Sequence, residues 1–136
     1  MDPDELFEFC KEWLLAWTGN QPDKLLSYYT ADALYVDPQH RDGLRGHGEI
    51  RSYFEKLLDV YHDWKWKPLE VFPIAAGAIV KWEATINVGE ETLTEIGLDI
   101  VEIEGGKIRR NEVYFDRTRL LAAVDKLRKT RRVSRW

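Results

Sequence analysis

Apolar residues recur along this chain with two periods, and the changeover divides it into a helical front and a stranded back. Leu6, Phe9, Cys10, Trp13, Leu14 and Trp17 fall three or four residues apart, the spacing of one buried helical face. Pro3 suits the first turn of that helix, and Gly19-Asn20 ends it. A short second helix is predicted over about 22–29. Leu34-Tyr35-Val36-Asp37 reads as a strand stopped by Pro38, followed by a polar loop over 39–46. Ile50, Tyr53, Phe54, Leu57, Leu58 and Tyr61 then restore the helical period. From Trp64 onward the chain reads as strands, predicted over 64–74, 78–88, 91–104 and 107–116. Their turns fall at Ala76-Gly77, Gly89-Glu90 and Gly105-Gly106, which makes an antiparallel meander. Leu120, Leu121, Val124 and Leu127 mark a last helix starting near Arg117. The predicted order is ααβαββββα.

Two-residue turns fix which residues face each other across a hairpin. The Gly89-Glu90 turn sets Val80 against Asp99, Trp82 against Gly97 and Ala84 against Glu95. The Gly105-Gly106 turn sets Asp99 against Glu112, Gly97 against Tyr114 and Glu95 against Asp116. Both registers then place Trp82, Glu95, Gly97, Asp99, Val101, Arg110, Glu112, Tyr114 and Asp116 on one face, with Gly97 leaving room for the Trp82 and Tyr114 rings. That mixture of aromatic walls and convergent acids describes a ligand pocket. Like carboxylates placed opposite each other repel, and burial of one raises its pKa toward that of a neutral-pH proton donor. Arg110 and Arg117 are the cations that would neutralise them instead. The other face carries Thr94, Ile96, Leu98, Ile100, Val113 and Phe115, an apolar surface that predicts a homodimer through the sheet.

Composition narrows the class. The 136 residues are 44% hydrophobic and 32% charged, the make-up of one globular domain spanning 1–136. No apolar run approaches the ~20 residues that span a bilayer, so no membrane is expected. The acidic start Met1-Asp2-Pro3-Asp4-Glu5 lacks the basic opening of a secretory signal. Cys10, the single cysteine, excludes an intrachain disulfide, and a cytoplasmic location is expected. Without a CxxC pair, Walker loop, GxGxxG or HExxH, neither metal nor cofactor is expected. The net charge of −4 is uneven: eight Lys/Arg against Asp125 from Arg117 onward leave the rest strongly acidic. The basic tail from about Lys126 therefore reads as a solvated helix end whose cations suit the C-terminal dipole, and no nucleic acid partner is expected.

The stretches Tyr28-Tyr29-Thr-Ala-Asp-Ala-Leu-Tyr-Val-Asp37-Pro38, Leu44-Arg-Gly46 and Ile50-Arg-Ser-Tyr-Phe54 resemble the front half of a SnoaL-like protein of the nuclear transport factor 2-like superfamily. Gly97 to Ile108 and Tyr114-Phe-Asp116 resemble its last hairpin. The resemblance implies a cone-shaped curved antiparallel sheet packed by N-terminal helices around a pocket. Within the superfamily, the steroid delta-isomerase branch has a general base resembling Asp37 and a protonated oxyanion-hole aspartate resembling Asp99; the neutral aspartate of that enzyme is itself the worked example of the underlying principle. The branch's helix-1 tyrosine falls at Trp13, so Tyr114 would have to supply its hydroxyl. The cyclase branch implies an acid near the end of the last strand, here Glu112 or Asp116. The epoxide hydrolase pattern is broken by Val113, and the dehydratase pattern wants a pocket histidine where only His40, His47 and His62 exist.

The expected activity is cofactor-free acid/base chemistry, isomerase- or cyclase-like, on a small hydrophobic carbonyl compound. Asp37 is the candidate base and Asp99 the candidate donor, with Glu112, Tyr114 and Asp116 supporting. Trp13, Trp17, Tyr53, Trp82, Glu95 and Val101 would bind the ligand, and His40 could reach in from the loop beside Asp37. Two other readings stand beside it. One is a noncatalytic module whose acids favour an amine. The other is a dimeric protein-interaction domain working through its outer sheet or basic tail. Asp37 as a turn residue and Asp116 as a helix N-cap are the structural roles weighed against the catalytic ones.

Overall fold

A computed structural model of the chain describes residues 1–134. Helix α1 spans Pro3–Leu15, with the Asp2 carboxylate accepting from the Glu5 amide at 2.8 Å as its N-cap. It buries Leu6, Cys10, Trp13 and Leu14. Gly19 and Asn20 take positive φ and turn the chain. Helix α2 spans only Pro22–Leu26, because Tyr29 is drawn into the core and starts strand β1, Tyr29–Asp37. Strand β2 follows at His40–Arg45 where a loop was expected. Its charged, half-exposed residues give no apolar alternation, but they suit a sheet edge that must not recruit another strand. Helix α3, Gly46–Val60, buries Ile50, Phe54 and Leu58.

Strands β3 (Lys65–Ile74), β4 (Gly77–Val88), β5 (Glu91–Glu104) and β6 (Lys107–Tyr114) complete one curved, open six-stranded sheet in the order β2-β1-β6-β5-β4-β3. Its neighbours are antiparallel except β1 and β6, which run parallel. Helix α4, Thr118–Ser134, closes the order as ααββαββββα. The N-terminal helices pack on the inner face, α1 against β3 and β4 and α3 against β1 and β2. The basic tail expected from Lys126 is the second half of α4 as far as Ser134; Arg135 and Trp136 lie outside the described residues. Among the described residues no helix is long and apolar enough to cross a membrane.

The β4–β5 register is the expected one, with Val80 opposite Asp99, Trp82 opposite Gly97 and Ala84 opposite Glu95. The β5–β6 register is not. Glu104 faces Lys107 and Ile103 faces Ile108, but Glu102 then faces Arg110, so Arg109 is an extra residue on β6. A bulge of one residue turns every later side chain to the other face. Asp99 therefore faces Val113, and Glu112 faces Ile100. Arg110, Glu112 and Tyr114 stand on the outer face, and Val113, expected outside, is buried within.

Candidate functional site

Strand alternation puts Tyr35 and Asp37 on the inner face together, two residues apart at the end of β1. Asp37 is only 7% exposed, yet each of its oxygens accepts twice. Oδ1 takes the backbone amides of Gln39 at 2.9 Å and His40 at 2.8 Å, the turn that reverses the chain into β2. Oδ2 takes the Tyr35 hydroxyl at 3.0 Å and the Tyr53 hydroxyl, delivered by α3, at 2.5 Å. Four donors fill the acceptor sites of a carboxylate. Burial raises the pKa of both phenols, and the Asp37 charge adds to the effect. Both therefore stay protonated as donors at neutral pH. The His40 ring lies edge-on to Tyr53, 4.3 Å between centroids, and His40 does not line the cavity; what it gives Asp37 is its backbone amide.

Asp99 occupies the centre of β5 and is 3% exposed. Oδ1 accepts from the Trp82 indole at 2.8 Å and Oδ2 from the Asn111 amide at 3.0 Å. Each oxygen keeps an open site, unlike those of Asp37. Burial pushes the Asp99 carboxyl up to about 7; the Asn111 and Trp82 bonds oppose that rise, and the Asp37 charge reinforces it. The Asn111 side-chain oxygen in turn accepts from the Tyr29 hydroxyl at 2.9 Å, which accepts from the Trp13 indole at 3.1 Å. Every polar atom along this buried chain is matched, so the orientation of Asp99 is fixed from α1 through β1 and β6.

The two acids line one cavity of about 430 Å³. Its walls are aromatic: Trp17, Trp64 and Trp66 on one side, Tyr35, Tyr53 and Phe115 on others. Trp64 is pinned by its indole bond to the Trp17 carbonyl and meets Trp66 edge-on at 5.0 Å. The Trp66 N–H is buried and finds no acceptor among the described residues. Helix α4 forms the rim through Leu120, Leu121, Val124 and Arg128, with Arg117 at its start.

Of the expected site residues, Asp37, Asp99, Trp17 and Tyr53 meet in this cavity. Trp13, Trp82 and Val101 do not line it; they are fully buried beneath, Trp13 and Trp82 as the ends of the hydrogen-bonded chain. Trp13 thus gives its N–H to Tyr29 and offers nothing to a ligand. Glu112 and Tyr114 face away. Tyr114 is 51% exposed and its hydroxyl bonds Glu112, which is also held by Arg110; these bonds keep the Glu112 carboxyl below its usual range. Asp116 faces neither Glu95 nor the cavity. It is exposed and caps α4 through the Thr118 amide and hydroxyl. Glu95 is buried with its nearest cation, Arg119, 3.9 Å away.

Tyr35, Asn111, Trp64, Trp66, Arg117 and the rim of α4 were not foreseen. Tyr35 was findable, because it precedes Asp37 by two. Asn111 was hidden by the bulge, although a neutral amide amid Arg109, Arg110 and Glu112 is a conspicuous choice for a strand.

Residues 10–111 match the family described as the SnoaL-like domain. No curated protein matches the chain in sequence. Similar solved structures include a hypothetical protein with a ketosteroid isomerase-like fold from Catenulispora acidiphila in complex with trimethylamine, 18% identical, TM-score 0.74, covering 87% of this chain and 92% of that one. TerC, co-crystallised with polyporic acid, is 16% identical with TM-score 0.74 over 88% of this chain and 98% of that one. An NTF2-like protein of Burkholderia pseudomallei is 15% identical with TM-score 0.73, covering 88% and 96%. At these identities the likeness is one of fold.

Proposed function

The chain belongs to the family of SnoaL-like domains, and from that premise we propose that its cavity performs cofactor-free acid/base chemistry, an isomerisation or cyclisation, on a hydrophobic carbonyl compound. One observation carries the reading: a single aromatic cavity holds a carboxyl pushed up to about 7, with open sites, and a second acid saturated by four donors. Asp99 bears the proton and donates it to the substrate carbonyl oxygen. Asp37 is the base, but only after a donor leaves it. Tyr53 is the donor free to turn, being half-buried where Tyr35 is fully enclosed. The C–H bond beside the carbonyl then breaks, its proton passing to Asp37 and its electron pair to the oxygen that receives the Asp99 proton. Returning the Asp37 proton to a different carbon, while the enol oxygen gives its proton back to Asp99, restores the carbonyl and both acids and completes an isomerisation.

The test is deuterium exchange at the α-carbon of 2-tetralone in D2O, followed by NMR. Wild type should accelerate exchange, Asp37→Asn should abolish the effect, and Asp99→Asn should reduce it by about a hundredfold, as for loss of one oxyanion donor. Tetralone that binds without exchanging overturns the catalytic reading.

A second reading is a noncatalytic receptor for an amine. Aromatic walls beside carboxylates suit a substituted ammonium, and the structurally similar Catenulispora protein was captured with trimethylamine. Saturable binding of trimethylamine with no exchange of tetralone would favour it.

We also propose that the outer sheet face pairs two copies of the chain. Phe72, Ile96, Leu98 and Tyr114 are all exposed there. Sedimentation should find a dimer that Leu98→Glu converts to monomer; a wild-type monomer at high concentration rejects the idea.

A further inference from the structure

Helix α4 carries a row of cations, and the structure uses them unequally. Arg119 lies 3.9 Å from Glu95, Lys126 is 3.0 Å from Glu91, and Lys129 is 3.0 Å from Asp125. Arg117 and Arg128 are different. Both line the cavity, and among the described residues neither guanidinium makes a hydrogen bond or ion pair with the protein. They are eleven residues apart, three turns of helix, so they share the face that carries Leu120, Leu121 and Val124 to the rim. Their charges reach inward. Burial raises the Tyr61 phenol, and Arg128 and Arg117 pull it back; Arg117 does the same at Tyr53.

The approach to the rim carries further arginines. Arg117 also lines an outer groove of about 640 Å³ together with Arg41 and Arg45. The acids nearby are largely committed: Glu112 to Arg110, and Asp125 to Lys129. Asp37 and Asp42 are the other acids of that groove; Asp37 is taken up by its four neutral donors, and Asp42 makes no ion pair among the described residues. On a chain with a net charge of −4, two rim arginines without an ion-pair partner among the described residues run against the average. Planar guanidinium groups are the side chains best matched to a carboxylate or enolate, which they grip through paired N–H bonds.

We propose that the molecule this cavity takes is an amphipathic anion, with a flat apolar body among the tryptophans and an acidic oxygen group held at the rim by Arg117 and Arg128. The inference rests on the carbonyl reading given above and narrows its substrate class. The negative group stays outside while the carbonyl end reaches Asp99. An ammonium ligand would meet two arginines on its way in, so the same feature counts against the amine reading.

The experiment measures binding of three probes with one ring system by calorimetry: 2-naphthoate, 2-acetylnaphthalene and (2-naphthyl)trimethylammonium. Wild type, Arg117→Gln, Arg128→Gln and the double variant are compared, each checked for an unchanged circular dichroism spectrum. Naphthoate should bind wild type at least about tenfold tighter than the ketone, the worth of one or two charge-assisted hydrogen bonds. The double variant should erase that advantage while ketone affinity stays within about twofold, and salt should weaken naphthoate alone. Equal binding of ketone and naphthoate, or equal losses in the arginine variants, overturns the anion grip and leaves the carbonyl cavity standing. Binding of the ammonium probe alone, or of none of the three, overturns both.

Discussion

Asp99 and Glu112 are carboxylates on adjacent strands, yet one is pushed up to about 7 and the other held below its usual range. Nothing in their chemistry separates them. The single extra residue at Arg109 does, by turning one to the enclosed face and the other to the outer face. Inside, Asp99 has two neutral donors and almost no water, so burial wins. Outside, Glu112 has a guanidinium, a phenol and solvent, so the charged form wins. The pair shows that the proton affinity of an acid here is set by the face it stands on.

The largest expected break in this comparison comes from removing the titration of Asp99. A buried acid raised from 3.8 to about 7 holds its proton more tightly in the folded protein. Its contribution is thus fully present below the unfolded value, and is lost as pH rises through about 7. The displacement is worth about 4 kcal/mol in order of magnitude. Chemical denaturation at pH 4.5 and pH 8 should show wild type losing stability over that interval relative to Asp99→Asn. The variant's new amide would face the Trp82 or Asn111 donor and lower stability at both pH values, but the difference in slope should remain. Parallel pH profiles would mean that Asp99 titrates normally.

A smaller effect is expected one step along the chain. Asn111→Leu removes the donor to Asp99 and the acceptor of Tyr29 together, leaving two buried partners unmatched. We expect a loss of roughly 3 kcal/mol. Because the Asn111 bond opposes the rise at Asp99, the midpoint of that carboxyl should move up further, readable from its side-chain NMR shift. A midpoint that falls would contradict the assigned bond.

The smallest effect sharpens the comparison from the outer side. Glu112→Gln loses a partly solvated ion pair with Arg110, and stability should change by less than about 1 kcal/mol. The α-carbon exchange of tetralone should be unaffected. A large loss of exchange would return Glu112 to the site.

The sequence made the helices and central strands readable because their burial follows a period. Leu6, Cys10 and Trp13 declare one helix; Val80, Trp82 and Ala84 declare one strand. Gly97 was read correctly for the Trp82 ring, whereas Tyr114, the other ring expected beside it, stands on the outer face. A Cβ there would collide with the Trp82 indole and with Phe115, so the space left for the indole is real. Strand β2 escaped because an edge strand is specified by backbone pairing and its side chains follow no period. The Arg109 bulge escaped because Gly105-Gly106 fixes only the first pairs of its hairpin; the register changes two pairs later. Asp37 and Asp99 reach the cavity because β1 and the β4–β5 register suffice to place them, although the expected pairing of Asp99 with Glu112 failed with the hairpin, and Glu112, Tyr114 and Asp116 turned away with it.

The tryptophan wall makes the cavity its own optical reporter. Trp17, Trp64 and Trp66 stand at the surface a ligand would touch, while Trp13 and Trp82 are sealed in the core. Indole emission shifts with the polarity around it, and Trp66 holds an N–H with no acceptor among the described residues. Occupancy of the cavity is thus written into the intrinsic fluorescence of the unlabelled protein through the three wall indoles, and Trp82, bonded to Asp99, would sense any change at that acid.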